Sequence, residues 1–215
     1  MKKPLTFLLA LIFLVFFSGN VSGQEPEVKK EYWDNGKLKS ETPYKNGKIE
    51  GLSIKWYQSN KKESEIHFKN GKQEGLQTYM YFSGIRMSEI HFKDGKEEGV
   101  YKEWYESGEK KKEVSYKNGR REGLQTSWYK SGRKKSVFPF KNGKFDGLQT
   151  SWYESGGKSD EVHYKNWKQE GLSTSWYESG RKWKETHFKN GKREGLRTYW
   201  YKSGGKKFEV PYKSG

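Results

Sequence analysis

Tyr116-Lys117-Asn118-Gly119-Arg120-Arg121-Glu122-Gly123-Leu124-Gln125-Thr126-Ser127-Trp128-Tyr129-Lys130-Ser131-Gly132-Arg133-Lys134-Lys135-Ser136-Val137-Phe138-Pro139 is one complete period of this chain, and Phe140 starts the pattern again. It contains two turn signals about 12 residues apart, Asn118-Gly119 and Ser131-Gly132, each flanked by short runs rich in Thr, Tyr, Trp and Val. Two strands per period follow. Working outward, glycines recur at Gly51, Gly75, Gly99, Gly123, Gly147, Gly171 and Gly195, and aromatics at Tyr44, Phe68, Phe92, Tyr116, Phe140, Tyr164, Phe188 and Tyr212, always 24 apart. A second ladder runs Tyr57, Tyr81, Tyr105, Tyr129, Tyr153, Tyr177, Tyr201. Fixed self-similarity of this length marks a repeat architecture, in which each unit stacks on its neighbours.

Seven full units occupy 44–211, preceded by an N-terminal segment with a half unit (24–43) and followed by a stub, 212–215. The expected fold is all-β: an elongated single-layer antiparallel meander built from 24-residue β-hairpin repeats, with about 14 to 16 strands. The register is expected from parity. Three-residue loops at both turns, each a type I turn closed by a glycine bulge, set Trp56 across from Lys62 and Phe68 across from Lys72. All even positions then share one apolar face: Leu52, Ile54, Trp56, Ile66, Phe68, Leu76, Thr78 and Met80. The odd face is polar, with Ser53, Lys55, Tyr57, Glu63, Glu65 and His67.

This unit resembles the MORN repeat family in its bacterial variant form, with Tyr116, Asn118, Gly119, Gly123, Tyr129 and Gly132 at the motif positions. The resemblance covers 32–215 and implies a β-hairpin array serving as a scaffold or binding surface; some variant members are antitoxin-like or immunity-type proteins that bind a toxin. One departure is Trp167, which replaces the turn glycine. A side chain in a left-handed backbone costs roughly 1–2 kcal/mol, so that turn is expected to be strained or rearranged.

Composition agrees with an array of small units. Of 215 residues 31% are apolar, which argues against a large central core, and there is no cysteine, which excludes disulfides and thiolate metal sites. Met1-Lys2-Lys3, the apolar run Leu5 to Phe17 and the small residues Val21-Ser22-Gly23 have the three parts of a cleaved signal peptide, 1–23. The run is shorter than the roughly 17–25 residues of a spanning helix. Export to the periplasm, cell surface or medium is expected, so nucleic acid is not the expected partner despite a formal charge of +16.

No catalytic set, phosphate loop or metal motif is visible, and no cofactor is implied. His67, His91, His163 and His187 fill one repeat position, and those one unit apart, His67/His91 and His163/His187, are expected about 9–10 Å from each other at two strands' spacing. That is poorly suited to shared metal ligation. The acids Glu50, Glu74, Glu98, Glu122, Asp146, Glu170 and Glu194 repeat one environment rather than the two a carboxylate pair needs, and are expected to offset neighbouring lysines. The chain is read as non-enzymatic.

The binding candidates are two paired rows: Trp104, Trp128, Trp152, Trp176 and Trp200, and the cations Lys110, Lys134, Lys158, Lys182 and Lys206. With Phe68/Lys72, Phe92/Lys96 and Tyr116/Arg120 on the opposite rim, they are expected to flank one apolar stripe with positive charge on both sides. Two partners fit it: an acidic protein gripped by a scaffold, or an anionic lipid or acidic-glycan surface of the cell envelope. A second copy of the chain is a further candidate to cover the stripe.

Overall fold

The computed structural model describes residues 27–213; the expected signal peptide, 1–23, lies outside them. Among these residues, eighteen strand segments, from Glu27–Tyr32 to Lys206–Tyr212, form one open antiparallel sheet in which hydrogen-bonded strands follow one another along the chain. Two of the strands are interrupted: Lys48–Ile49 continues as Gly51–Trp56, and Lys144–Phe145 as Gly147–Trp152. Proline causes both breaks. Pro43 and Pro139 lack the N–H that continues a ladder, and their carbonyls instead accept from Glu50 N at 3.0 Å and Asp146 N at 3.2 Å.

The two turns of a unit differ in length. At Glu106-Ser107-Gly108 the loop has three residues, as expected: Gly108 N donates to Tyr105 O, Tyr105 N donates to Glu109 O, and Gly108 has φ 97°. At Asn-Gly the expectation of three residues was wrong. Lys69 pairs with Lys72 and Phe68 with Gln73, leaving a two-residue loop whose Asn70 and Gly71 have φ 52° and 79°. That is the type I′ geometry Asn-Gly favours, because both positions need positive φ.

The shorter loop overturns the expected faces. Ser53 pairs with Ile66, Ile54 with Glu65 and Leu52 with His67. Odd positions of one strand thus share a face with even positions of the next. Ile66 and Phe68 leave the Trp56 face and join Ser53, Gln73 and Gln77; Glu65 and His67 join Leu52, Ile54, Trp56, Leu76, Thr78 and Met80. A β-bulge restores Trp56 opposite Lys62, with Glu63 as the extra residue.

The face carrying Ile66 is the more tightly packed one. Its row through Ile90, Val114 and Val162 is buried, together with Ser64, Ser88, Gln77, Gln149, Ser173 and Thr186. This apolar row between Ser and Gln rows, with Phe140 buried in the neighbouring aromatic row, is the core of the described residues. The outermost strands are protected from edge pairing by charge and proline: Glu27–Tyr32 contains Lys29, Lys30 and Glu31, while Lys206–Tyr212 contains Lys206, Lys207 and Pro211.

Candidate functional site

The Trp–cation pairs are where the sequence places them. Trp104 faces Lys110, Trp128 faces Lys134, Trp152 faces Lys158, Trp176 faces Lys182 and Trp200 faces Lys206. The cations reach further than their partners: Lys110 lies over the Trp128 ring at 5.0 Å, Lys158 over Trp176 at 5.9 Å and Arg86 over Trp104 at 5.8 Å. Each such contact joins one unit to the next, by an attraction of about 0.5–1 kcal/mol at exposed sites.

Their charge is largely balanced, however. Lys62, Arg86, Lys110, Lys158, Lys182 and Lys206 each pair with the glutamate three residues on, at 2.7 Å for Lys110–Glu113 and 2.8 Å for Lys206–Glu209. The β-bulge brings both members onto one face. At Lys134 the corresponding residue is Val137. The sequence reading missed this acid row because it assigned Glu65 to the other face.

The second rail is not the expected one. Phe92 pairs with Glu97 and Tyr116 with Arg121, on the packed face. On the Trp face, the residue opposite each rim cation is another cation: Lys45 and Lys48, Lys69 and Lys72, Lys93 and Lys96, Lys117 and Arg120, Lys141 and Lys144, Lys165 and Lys168, Lys189 and Lys192. Like charges directly opposite are destabilising, so this rim is a place where the fold tolerates concentrated positive charge. Between the rim and the Trp row stand Val100, Leu124, Leu148, Leu172 and Leu196, exposed by 39% to 58%.

The remaining ladders hold the array together. Tyr81, Tyr105, Tyr129, Tyr153 and Tyr177 each donate to the carbonyl of the tryptophan 23 residues on, at 2.7–2.9 Å. The acid ladder also has a structural role: Glu74, Glu98, Glu122 and Glu170 accept from the backbone N–H of Asp94, Asn118, Asn142 and Asn190 in the following turn, at 2.7–2.8 Å. The histidines are exposed, and His67 Nδ1 lies 2.9 Å from the Leu76 carbonyl oxygen. They share the Trp face rather than a separate polar one.

Trp167 keeps the left-handed turn, at φ 71°. Its ring meets Phe145 edge-on at 4.3 Å between centroids and Phe140 at 6.2 Å. Phe138 and Tyr164 extend this cluster around Phe145.

No curated protein matches the chain. The family described as MORN repeat variant matches it at 28–46, 49–70, 97–118, 145–166, 169–190 and 193–214, more than half of the sequence. Residues 73–94 and 121–142 fall between these matches yet pair in the same register as the matched units. A hairpin array of this period, stapled unit to unit by Tyr and Glu, thus belongs to the MORN repeat variant family.

Proposed function

We propose that this chain is an exported, non-enzymatic interaction scaffold of the antitoxin or immunity type, and that its Trp face receives an acidic protein with an amphipathic surface. Repeats of this family generally serve interaction with proteins or membranes. The observation that carries the reading is the exposed aliphatic row Val100, Leu124, Leu148, Leu172 and Leu196. It lies between paired cations such as Lys117/Arg120 and the half-buried Trp104, Trp128, Trp152, Trp176 and Trp200. Apolar residues repeated at about 9.6 Å along a sheet offer a continuous strip to a partner, and the rim charge selects its sign. In the Trp row, Lys110, Lys134, Lys158, Lys182 and Lys206 act mainly through their stems, which cover the rings.

The test is retention of a partner by the full chain from its source cells. The expected result is one acidic protein that withstands high salt and is lost when Leu124, Leu148 and Leu172 are replaced by Glu. The seven cation pairs on the rim favour a second reading, docking on anionic lipid or acidic glycan. That reading predicts broad, salt-labile adsorption that follows Lys117, Lys141 and Lys165 rather than the leucines.

A further inference from the structure

The packed face changes character at its C-terminal end. The row Ser53, Gln77, Tyr101, Gln125, Gln149, Ser173 ends in Arg197; the row Ile49, Gln73, Glu97, Arg121, Phe145, Gln169 ends in Arg193; and the row beginning Ser40, Ser64, Ser88 reaches Lys184. These three cations line one open hollow of about 860 Å3. Such a volume suits a small organic ligand.

Its polar groups are arranged to donate. Thr186, directly opposite Arg197, is buried, and neither its Oγ1 nor the Arg197 Nε has a protein hydrogen-bond partner. Buried donors of this kind cost free energy until an acceptor meets them. The nearest acid, Asp160, already accepts from Ser175 Oγ at 2.7 Å. Arg193 Nη1 donates to the Tyr212 hydroxyl at 3.2 Å, which closes one side. Lys192 and Lys213 also line the hollow, so with five cations and one carboxylate it has an excess of four positive charges.

From this we infer that the hollow binds the phosphate group of a small, soluble phosphate monoester, held by Arg197, Lys184 and Arg193 with Thr186 donating a hydrogen bond. The excess of positive charge favours a dianion over a monoanion, and guanidinium groups suit oxyanion geometry. On the rest of the wall Asp160, Ser175 and Gln169 are placed to meet hydroxyl groups, while Val162 and Phe188 give it an apolar side. Burial, and next the Arg197 charge, push the Lys184 ammonium below its ordinary range. The cations are thus held together against their repulsion, which a bound anion relieves.

The repeats supply variants that the fold already accepts. Arg197→Gln restores the residue of Gln77, Gln125 and Gln149, Arg193→Gln that of Gln73 and Gln169, and Lys184→Ser that of Ser40, Ser64 and Ser88. The probes are inorganic phosphate and glucose 6-phosphate, titrated calorimetrically into the full chain at constant ionic strength. Both are expected to bind saturably at one site, glucose 6-phosphate more tightly, and each single variant is expected to weaken binding about tenfold, the worth of one charge-assisted hydrogen bond. Leu124→Glu, on the other face, leaves this binding unchanged. The inference is overturned if the wild type shows no saturable binding, if chloride at matched ionic strength competes fully, or if Arg197→Gln and Lys184→Ser bind as the wild type does.

Discussion

The hydroxyl of Tyr105 donates to the carbonyl oxygen of Trp128 at 2.8 Å, across the boundary between two units. The same bond recurs from Tyr57 to Met80 and from Tyr177 to Trp200. It gives the tyrosine ladder a structural purpose and couples each hairpin to the next. Removing it leaves a part-buried carbonyl without its partner. Tyr105→Phe is expected to lower stability by about 0.5–1.5 kcal/mol. Because units in such an array contact only their neighbours, hydrogen exchange should quicken in the hairpins on both sides of that boundary and not at the chain ends.

Gly119 and His91 separate backbone strain from surface exposure. Gly119 occupies the second position of a two-residue turn at φ 75°, with Lys96 of the preceding unit beside it. A β-branched residue there meets the left-handed penalty of roughly 1–2 kcal/mol or more. His91 is exposed. In thermal unfolding, Gly119→Val should therefore lower the midpoint clearly, while His91→Ala stays close to wild type.

The period, the strand count and the Trp–Lys pairs were legible because they depend on local signals: glycines at fixed spacing, two turn dipeptides, and runs of strand-forming residues. The faces were not. They depend on loop length and on β-bulges, and a β-bulge such as the one at Glu63 has no residue type of its own. The Asn-Gly dipeptide did contain the signal for a two-residue loop, and treating it like Ser-Gly moved Ile66 and Phe68 to the wrong face. The Glu98 contact with the Asn118 N–H spans 20 residues. Only stacking of successive turns reveals it, so a reading within one unit saw a charge row instead. Lys184, Arg193 and Arg197 were visible as departures from their rows, but their convergence requires the corrected register.

Tyr101 provides a pH test of the packed face. Burial, followed by the adjacent Glu103 carboxylate that accepts its hydroxyl at 3.2 Å, raises its pKa from 10.0 to about 12. The folded state favours the neutral phenol. The stability this contributes is complete below pH 10 and is lost as the pH rises through about 12. Ultraviolet titration should show one phenol ionising late, and Tyr101→Phe should flatten the alkaline decline in stability between those values.

Trp167 and Phe145 are expected to compensate for each other. The left-handed backbone at Trp167 is unfavourable, and the edge-on contact with Phe145 offsets it. In a double-mutant cycle, Trp167→Gly should help more when Phe145 is already Gln, as Gln73 and Gln169 are in their units. A coupling of about 0.5–1.5 kcal/mol is the expected range for an aromatic pair.

Leu148 and Gln149 are neighbours in sequence on opposite faces of the sheet: Leu148 is 40% exposed beside His163, and Gln149 is 7% exposed beside Val162. A photo-crosslinking amino acid at each position, introduced separately into the full chain in its source cells, tests directly that the Trp face is the partner surface. A discrete adduct from position 148 that disappears with Leu124→Glu and Leu172→Glu, and none from 149, is the predicted result. An adduct from 149 with none from 148 would place the partner on the packed face and contradict the account.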